Sequence, residues 1–165
     1  MKNRFDMLEN NINEEVTLYK ELENLYKEKQ EILINKKSEV LADVDSRILK
    51  VLESIKSLVE KRQEITASIS GKVMTLSEVV DESRKIDLRQ SKRFDDKKDE
   101  INTLVKTLIE LDAINTELTK HGIKVTNKIM QMILNNINIP TNAYDQKGKM
   151  VDKGEINISS IVEEV

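Results

Sequence analysis

Apolar residues recur every three or four positions along most of this chain, a spacing that predicts long amphipathic helices. The first stripe is Phe5, Leu8, Ile12, Val16, Tyr19, Leu22, Leu25, Tyr26, Ile32 and Leu33, and Glu9, Glu14, Lys20, Glu21, Lys27 and Glu31 fall on the reverse face. The stripe lapses at Asn35-Lys36-Lys37-Ser38. A break belongs near there, because one helix running on to Ile69 would be about 100 Å long. The second stripe is Val40, Leu41, Val44, Ile48, Val51, Leu52, Ile55, Leu58, Val59, Ile65 and Ile69, and it closes on Ser70-Gly71, a glycine stop.

Thr75-Leu76-Ser77-Glu78 has the spacing of a capping box, so a short helix should follow and bury Leu76, Val79 and Val80. Residues 81–100 are the most charged stretch, with signs that nearly cancel, and read as a solvated helix or linker. From Ile101 a heptad runs through Leu104, Leu108, Leu111, Asn115, Leu118, Gly122, Val125, Ile129 and Met132. Asn115 takes an a position, where a polar side chain lowers stability and sets register. Pro140 ends the helix, since proline disfavours helical geometry in the residue before it. The expected elements are helices at about 4–35, 38–70, 76–82 and 84–138 within a helical domain 1–139. A tail, 140–165, is expected to be flexible and carries a small apolar set, Ile156, Ile158, Ile161, Val162 and Val165.

Composition narrows the fold to all-α: long antiparallel helices in an elongated, coiled-coil-like bundle. Charged residues make up 35% and aromatics 3% of the 165 residues, so the core should be thin. A net charge of −3 with mixed signs leaves no electrostatic footprint for nucleic acid. The lack of cysteine excludes a disulfide framework and thiolate metal sites. Glu9 and neighbouring asparagines interrupt any secretory signal at the N-terminus, and no window reaches the ~20 apolar residues of a membrane span. The chain reads as soluble and cytoplasmic, with no membrane insertion.

Little in it can do chemistry. His121 is the only imidazole, and Glu117 one turn earlier makes a metal pair geometrically possible. A di-metal bundle, however, wants Glu-x-x-His on two helices, and Leu118 stands three before His121. The Gly-Lys pairs at Gly71 and Gly148 lack the rest of a phosphate-binding loop. Carboxylates lie among lysines on polar helix faces, without the pocket that tunes a catalytic acid. No catalytic residue, metal or cofactor is expected, and the chain is read as a binding protein rather than an enzyme.

One stretch offers a surface. Between Ile123 and Ile139, Ile123, Met130, Ile133, Leu134, Ile137 and Ile139 widen the apolar stripe beyond what a two-helix seam needs. Three occupants fit that width: the protein's own helices or tail, a second copy, or an amphipathic helix from a partner. Met130 and Met132 suit the last, because methionine conforms to varied surfaces.

Taken together, three segments resemble the flagellar export chaperones of the FlgN type. Gln30-Glu31-Ile32-Leu33, then Val40, Leu41, Lys50-Val51-Leu52 and Glu60-Lys61-Arg62, resemble the helical opening of that family. Thr75-Leu76 with Val79-Val80 resembles its short middle helix. Ile114-Asn115 through Ile137, followed by Tyr144-Asp145 and Gly148, resembles its last helix and tyrosine–glycine turn. The likeness covers most of residues 5–148 and departs from the family pattern at Leu118 and Gly122-Ile123. It implies an ATP-independent cytoplasmic chaperone that holds hook-associated (junction) proteins by their C-terminal helices and delivers them to the flagellar type III export apparatus. The client-binding residues it implies are Leu118, Val125, Ile129, Met130, Ile133, Leu134 and Ile137, with Tyr144 for docking to the export machinery. The chain would act as a monomer or homodimer. The alternative reading is a structural coiled coil, a scaffold or self-assembling spacer, which the helical periodicity supports equally.

Overall fold

The computed structural model describes residues 2–136, with side-chain surroundings described for 3–133. Helix α1 runs Lys2–Ile34, a 3-10 turn spans Ser38–Val40, and α2, α3 and α4 run Leu41–Ser70, Leu76–Arg84 and Leu88–Asn136. No strand occurs among the described residues, and the fold is an all-α helical bundle. The expected flexible tail lies outside the described residues.

Each helix end has a local cause. α1 stops where Lys36 turns left-handed (φ 56°), and Lys37 N–H then bonds Ile32 C=O at 3.1 Å. That conformation costs a residue with a Cβ roughly 1–2 kcal/mol. α2 stops on the expected glycine: Gly71 is left-handed (φ 77°) and its N–H reaches Ala67 C=O at 2.8 Å. Thr75 and Glu78 form the full capping box at the start of α3. α4 begins later than the expected residue 84. α3 continues to Arg84, and Asp87 then caps a new helix by accepting from the N–H groups of Arg89 (2.8 Å) and Gln90 (3.3 Å).

Tertiary contacts divide the chain into two units, Met1–Leu118 and Thr119–Val165. In the first, α1 and α2 are antiparallel, because the partners of Arg4, Asn11 and Glu28 are Ser68, Leu58 and Arg47, which fall in number as α1 advances. α1 and α4 are parallel: Asp6 and Glu9 meet Gln90 and Arg93, and Tyr26 C=O meets Asn115. The reason is the length of α3. Nine residues span only about 14 Å, too little to carry the chain back along the bundle, so α4 sets out from the same end as α1.

Two apolar clusters fill this unit. One joins Phe5, Leu8 and Ile12 of α1 to Ile65, Met74, Val79, Phe94 and Ile101. The other, beneath α1, α2 and α4, joins Leu22, Leu25 and Ile32 to Val44, Ile48, Val51, Ile55 and Leu108. Val40 and Leu52, read as part of the second stripe, are exposed. The charged stretch 81–100 is not simply solvated, since Ser83, Gln90, Ser91 and Phe94 are buried in it. There Ser91 Oγ donates to Val80 C=O at 2.9 Å and ties α4 to α3.

Candidate protein-binding face

The heptad of α4 is one sequence pattern with two fates. Ile101, Leu104, Leu108, Leu111 and Asn115 are buried, and Asn115 Nδ2 donates to Tyr26 C=O at 3.0 Å. Leu118, the last residue of the first unit, is half-buried. In the second unit the heptad continues, yet no side chain from Thr119 to Ile133 is buried. Its next a/d position, Gly122, has no side chain to pack.

The apolar side chains of this part of α4 therefore face outward. Ile123, Ile129, Met130, Met132 and Ile133 retain 45%, 52%, 44%, 58% and 49% of their surface. Val125 is half-buried. Scattered exposed aliphatics are ordinary, whereas five within eleven residues make a patch of the kind that marks a contact surface. At about 100° per residue these positions spread over roughly half the helix circumference. Lys120, Lys124 and Lys128, one turn apart, line the other side, and no Asp or Glu occurs between Thr119 and Asn136. The result is an apolar face with a basic flank.

Of the residues read from the sequence as partner-binding, the helix brings Val125, Ile129, Met130 and Ile133 together on this segment, with Leu118 about two turns before Val125. Leu134 is within α4, but its side chain lies outside what is described. Ile137 and Tyr144 lie outside the described residues.

Chemistry is sparse elsewhere. His121 is exposed, and among the described residues no three His, Asp or Glu side chains are placed to hold a metal ion. A shallow depression between α1 and α2 is lined by Asn13, Glu14, Thr17, Leu18, Ser54, Ser57 and Leu58, which offers Glu14 no acid or imidazole partner. The carboxyls held below their ordinary range serve as ties between or within elements. Arg93, bonded twice to Glu9 (2.6 and 3.1 Å), holds the Glu9 carboxyl below its usual range. Lys20 and Lys97 do the same for Glu100. Lys72 and the Thr75 backbone bring Glu78 down to about 2.

Glu15 is the exception, and sequence reasoning missed it. Its side chain is wholly buried between α1 and α2, and burial pushes its carboxyl up despite the Arg62 guanidinium bonded to it at 2.8 Å. The available signal was its place: Asn11, Ile12, Glu15 and Val16 share one face of α1, and all four are buried. No described helix is long and apolar enough to cross a membrane.

A protein-family model described as "FlgN protein" matches residues 1–152. No curated protein and no solved structure matches the chain.

Proposed function

We propose, since the chain belongs to the FlgN family and so has the general role of a flagellar export chaperone, that it works in the cytoplasm without ATP. In this reading it holds hook-associated proteins by an amphipathic C-terminal helix until the type III export apparatus accepts them. The contact surface is the apolar side of α4 from Leu118 onward, with Val125, Ile129, Met130 and Ile133, and Leu134 and Ile137 are assigned to client binding with it. Tyr144 serves docking to the export machinery.

The observation that supports this is the exposure of Ile129, Met130 and Ile133 on a helix whose earlier heptads are fully packed. A partner helix laid on such a face buries apolar area at about 25 cal/mol per Å². Part of that gain is offset by the lost freedom of both chains, so a few deeply buried anchors decide the affinity. Nucleotide hydrolysis is not needed, because release can follow from competition for the same face.

Ile133→Asp combined with Ile137→Asp tests the site. The double variant should lose co-elution with hook-associated proteins on a sizing column while keeping its helix content by circular dichroism. Co-elution equal to that of the unaltered protein would remove this face from consideration. The scaffold reading is separated by dilution: a spacer assembles into a defined oligomer on its own, whereas a chaperone stays small until a client is added.

A further inference from the structure

We propose that the apolar face of α4 between Ile123 and Ile133 has an intramolecular occupant, residues 158–165 of the same chain. The docking does not require any client, so it stands or falls separately from the client-binding reading.

Three observations select this occupant. The first is charge. The α4 segment from Thr119 to Asn136 holds Lys120, Lys124 and Lys128 and no acidic residue, so a second copy of the same segment would set cation against cation. The best complement is an acidic segment, and the chain supplies one: residues 151–165 hold Asp152, Glu155, Glu163 and Glu164 against the single cation Lys153.

The second is pattern. Ile158, Ile161, Val162 and Val165 have i, i+3, i+4, i+7 spacing, the anchor pattern by which an amphipathic helix lies in an apolar groove. Glu163 and Glu164 fall off that stripe, where they can approach the lysines that flank the face.

The third is reach. The return from Asn136 to Ile129 is about 10 Å along the helix, and to Ile123 about 20 Å. Residues 137–157 connect the two partners, and an unconstrained chain of that length has a root-mean-square span of about 25 Å. Span and distance agree, which is the condition for a high effective concentration, of millimolar order for a short tether. A weak contact, too feeble to hold between separate molecules, is then substantially formed. The occupant shields the aliphatic side chains and yields to a tighter binder.

The lack of native cysteine makes the test direct. Ser160→Cys carries one nitroxide label on the full chain, and methyl signals of Ile123, Ile129 and Ile133 are recorded by NMR with the label oxidised and reduced. The expected result is loss of those three signals in the oxidised state, unchanged on dilution and weakened by added salt. Lys124→Glu with Lys128→Glu should restore the signals, and adding Glu163→Lys with Glu164→Lys to that variant should remove them again. Circular dichroism of each variant confirms that the helices persist. Full signals beside the oxidised label would overturn the proposal and leave the face to an external partner. Signal loss transferred from labelled to unlabelled molecules in a mixture would overturn it in favour of a second copy.

Discussion

Arg62 of α2 donates from Nε to Glu15 Oε1 of α1 at 2.8 Å, and the Glu15 side chain is 1% exposed. A carboxylate so placed has exchanged water for one guanidinium, and no described residue donates to its second oxygen, Oε2. Removing the arginine leaves a buried charge uncompensated. Arg62→Met should therefore destabilise the bundle by about 3–5 kcal/mol at neutral pH. Because burial raises the Glu15 carboxyl, the folded state holds that proton more tightly than the unfolded chain does. The stability tied to this proton is full below the ordinary glutamate value and is lost as pH rises through the raised one. Thermal melts from pH 7 downward should show the Arg62→Met deficit shrinking as Glu15 takes up its proton. Adding Glu15→Leu to Arg62→Met should recover most of the loss at pH 7. A deficit constant across the pH range would show that the guanidinium acts by packing alone.

The capping box gives the opposite sign. Glu78, held down to about 2 by Lys72 and the Thr75 backbone, is charged in the fold well below the pH at which it protonates in the unfolded chain. Its contribution is present above the ordinary glutamate value and is lost as pH falls toward 2. Thr75→Ala should cost about 1 kcal/mol in denaturant unfolding. The effect should reach beyond α3 itself, because Val79 and Val80 sit in the core with Phe5 and Phe94. Glu78→Gln should flatten the acid limb of the stability curve, and an acid limb as steep as that of the unaltered protein would show that Glu78 is not its source.

The helices and their faces were legible because burial repeats with the helical period, as in Leu8, Ile12, Val44, Ile48 and Ile101. Gly71 and the Thr75–Glu78 box were legible because their chemistry is local. The α1 stop was indistinct because Lys36, not a glycine, adopts the left-handed turn. Periodicity tells which side of a helix is apolar but not which helix it meets, so the parallel course of α1 and α4 was hidden. It also hid Glu15, Gln90 and Ser91, polar residues on buried faces whose partners lie 11 to 84 positions away. For the candidate site, the apolar width of α4 was readable in Ile123, Met130 and Ile133. The point at which burial ceases was not, because the heptad runs past Asn115 without interruption.

Phe94 shows what a single aromatic does in so aliphatic a chain. It lies within the stretch that composition marks as solvated, yet it is 2% exposed and meets Phe5 with ring centroids 6.1 Å apart and planes tilted by 53°. A tilted pair at that separation adds to plain area burial. Phe94→Ala should cost about 3–5 kcal/mol in urea unfolding, and Leu88→Ala, one and a half turns earlier and 71% exposed, less than about 0.5 kcal/mol. Equal losses from the two would place Phe94 outside the core.

Gly122 separates the two ways in which α4 is held together. Up to Asn115 the helix is fixed by side chains packed in the bundle, and opening it requires exposing that core. From Thr119 to Ile133 no side chain is buried, so backbone propensity and neighbouring turns carry a larger share of the stability there. Glycine is the poorest residue for that task apart from proline. A Cβ added at Gly122 meets nothing within 4 Å, so alanine brings helix propensity without a clash. Gly122→Ala should therefore strengthen this part of the helix by about 0.5–1 kcal/mol. Native-state hydrogen exchange is the sensitive measurement, because amides report local opening separately from global unfolding. Amides around 119–130 should slow several-fold, while those of 101–115, which exchange by opening the packed core, should barely change. Slowing spread evenly over both stretches would mean that α4 opens as one unit, and that the face from Ile123 to Ile133 is no easier to unfold than the bundle.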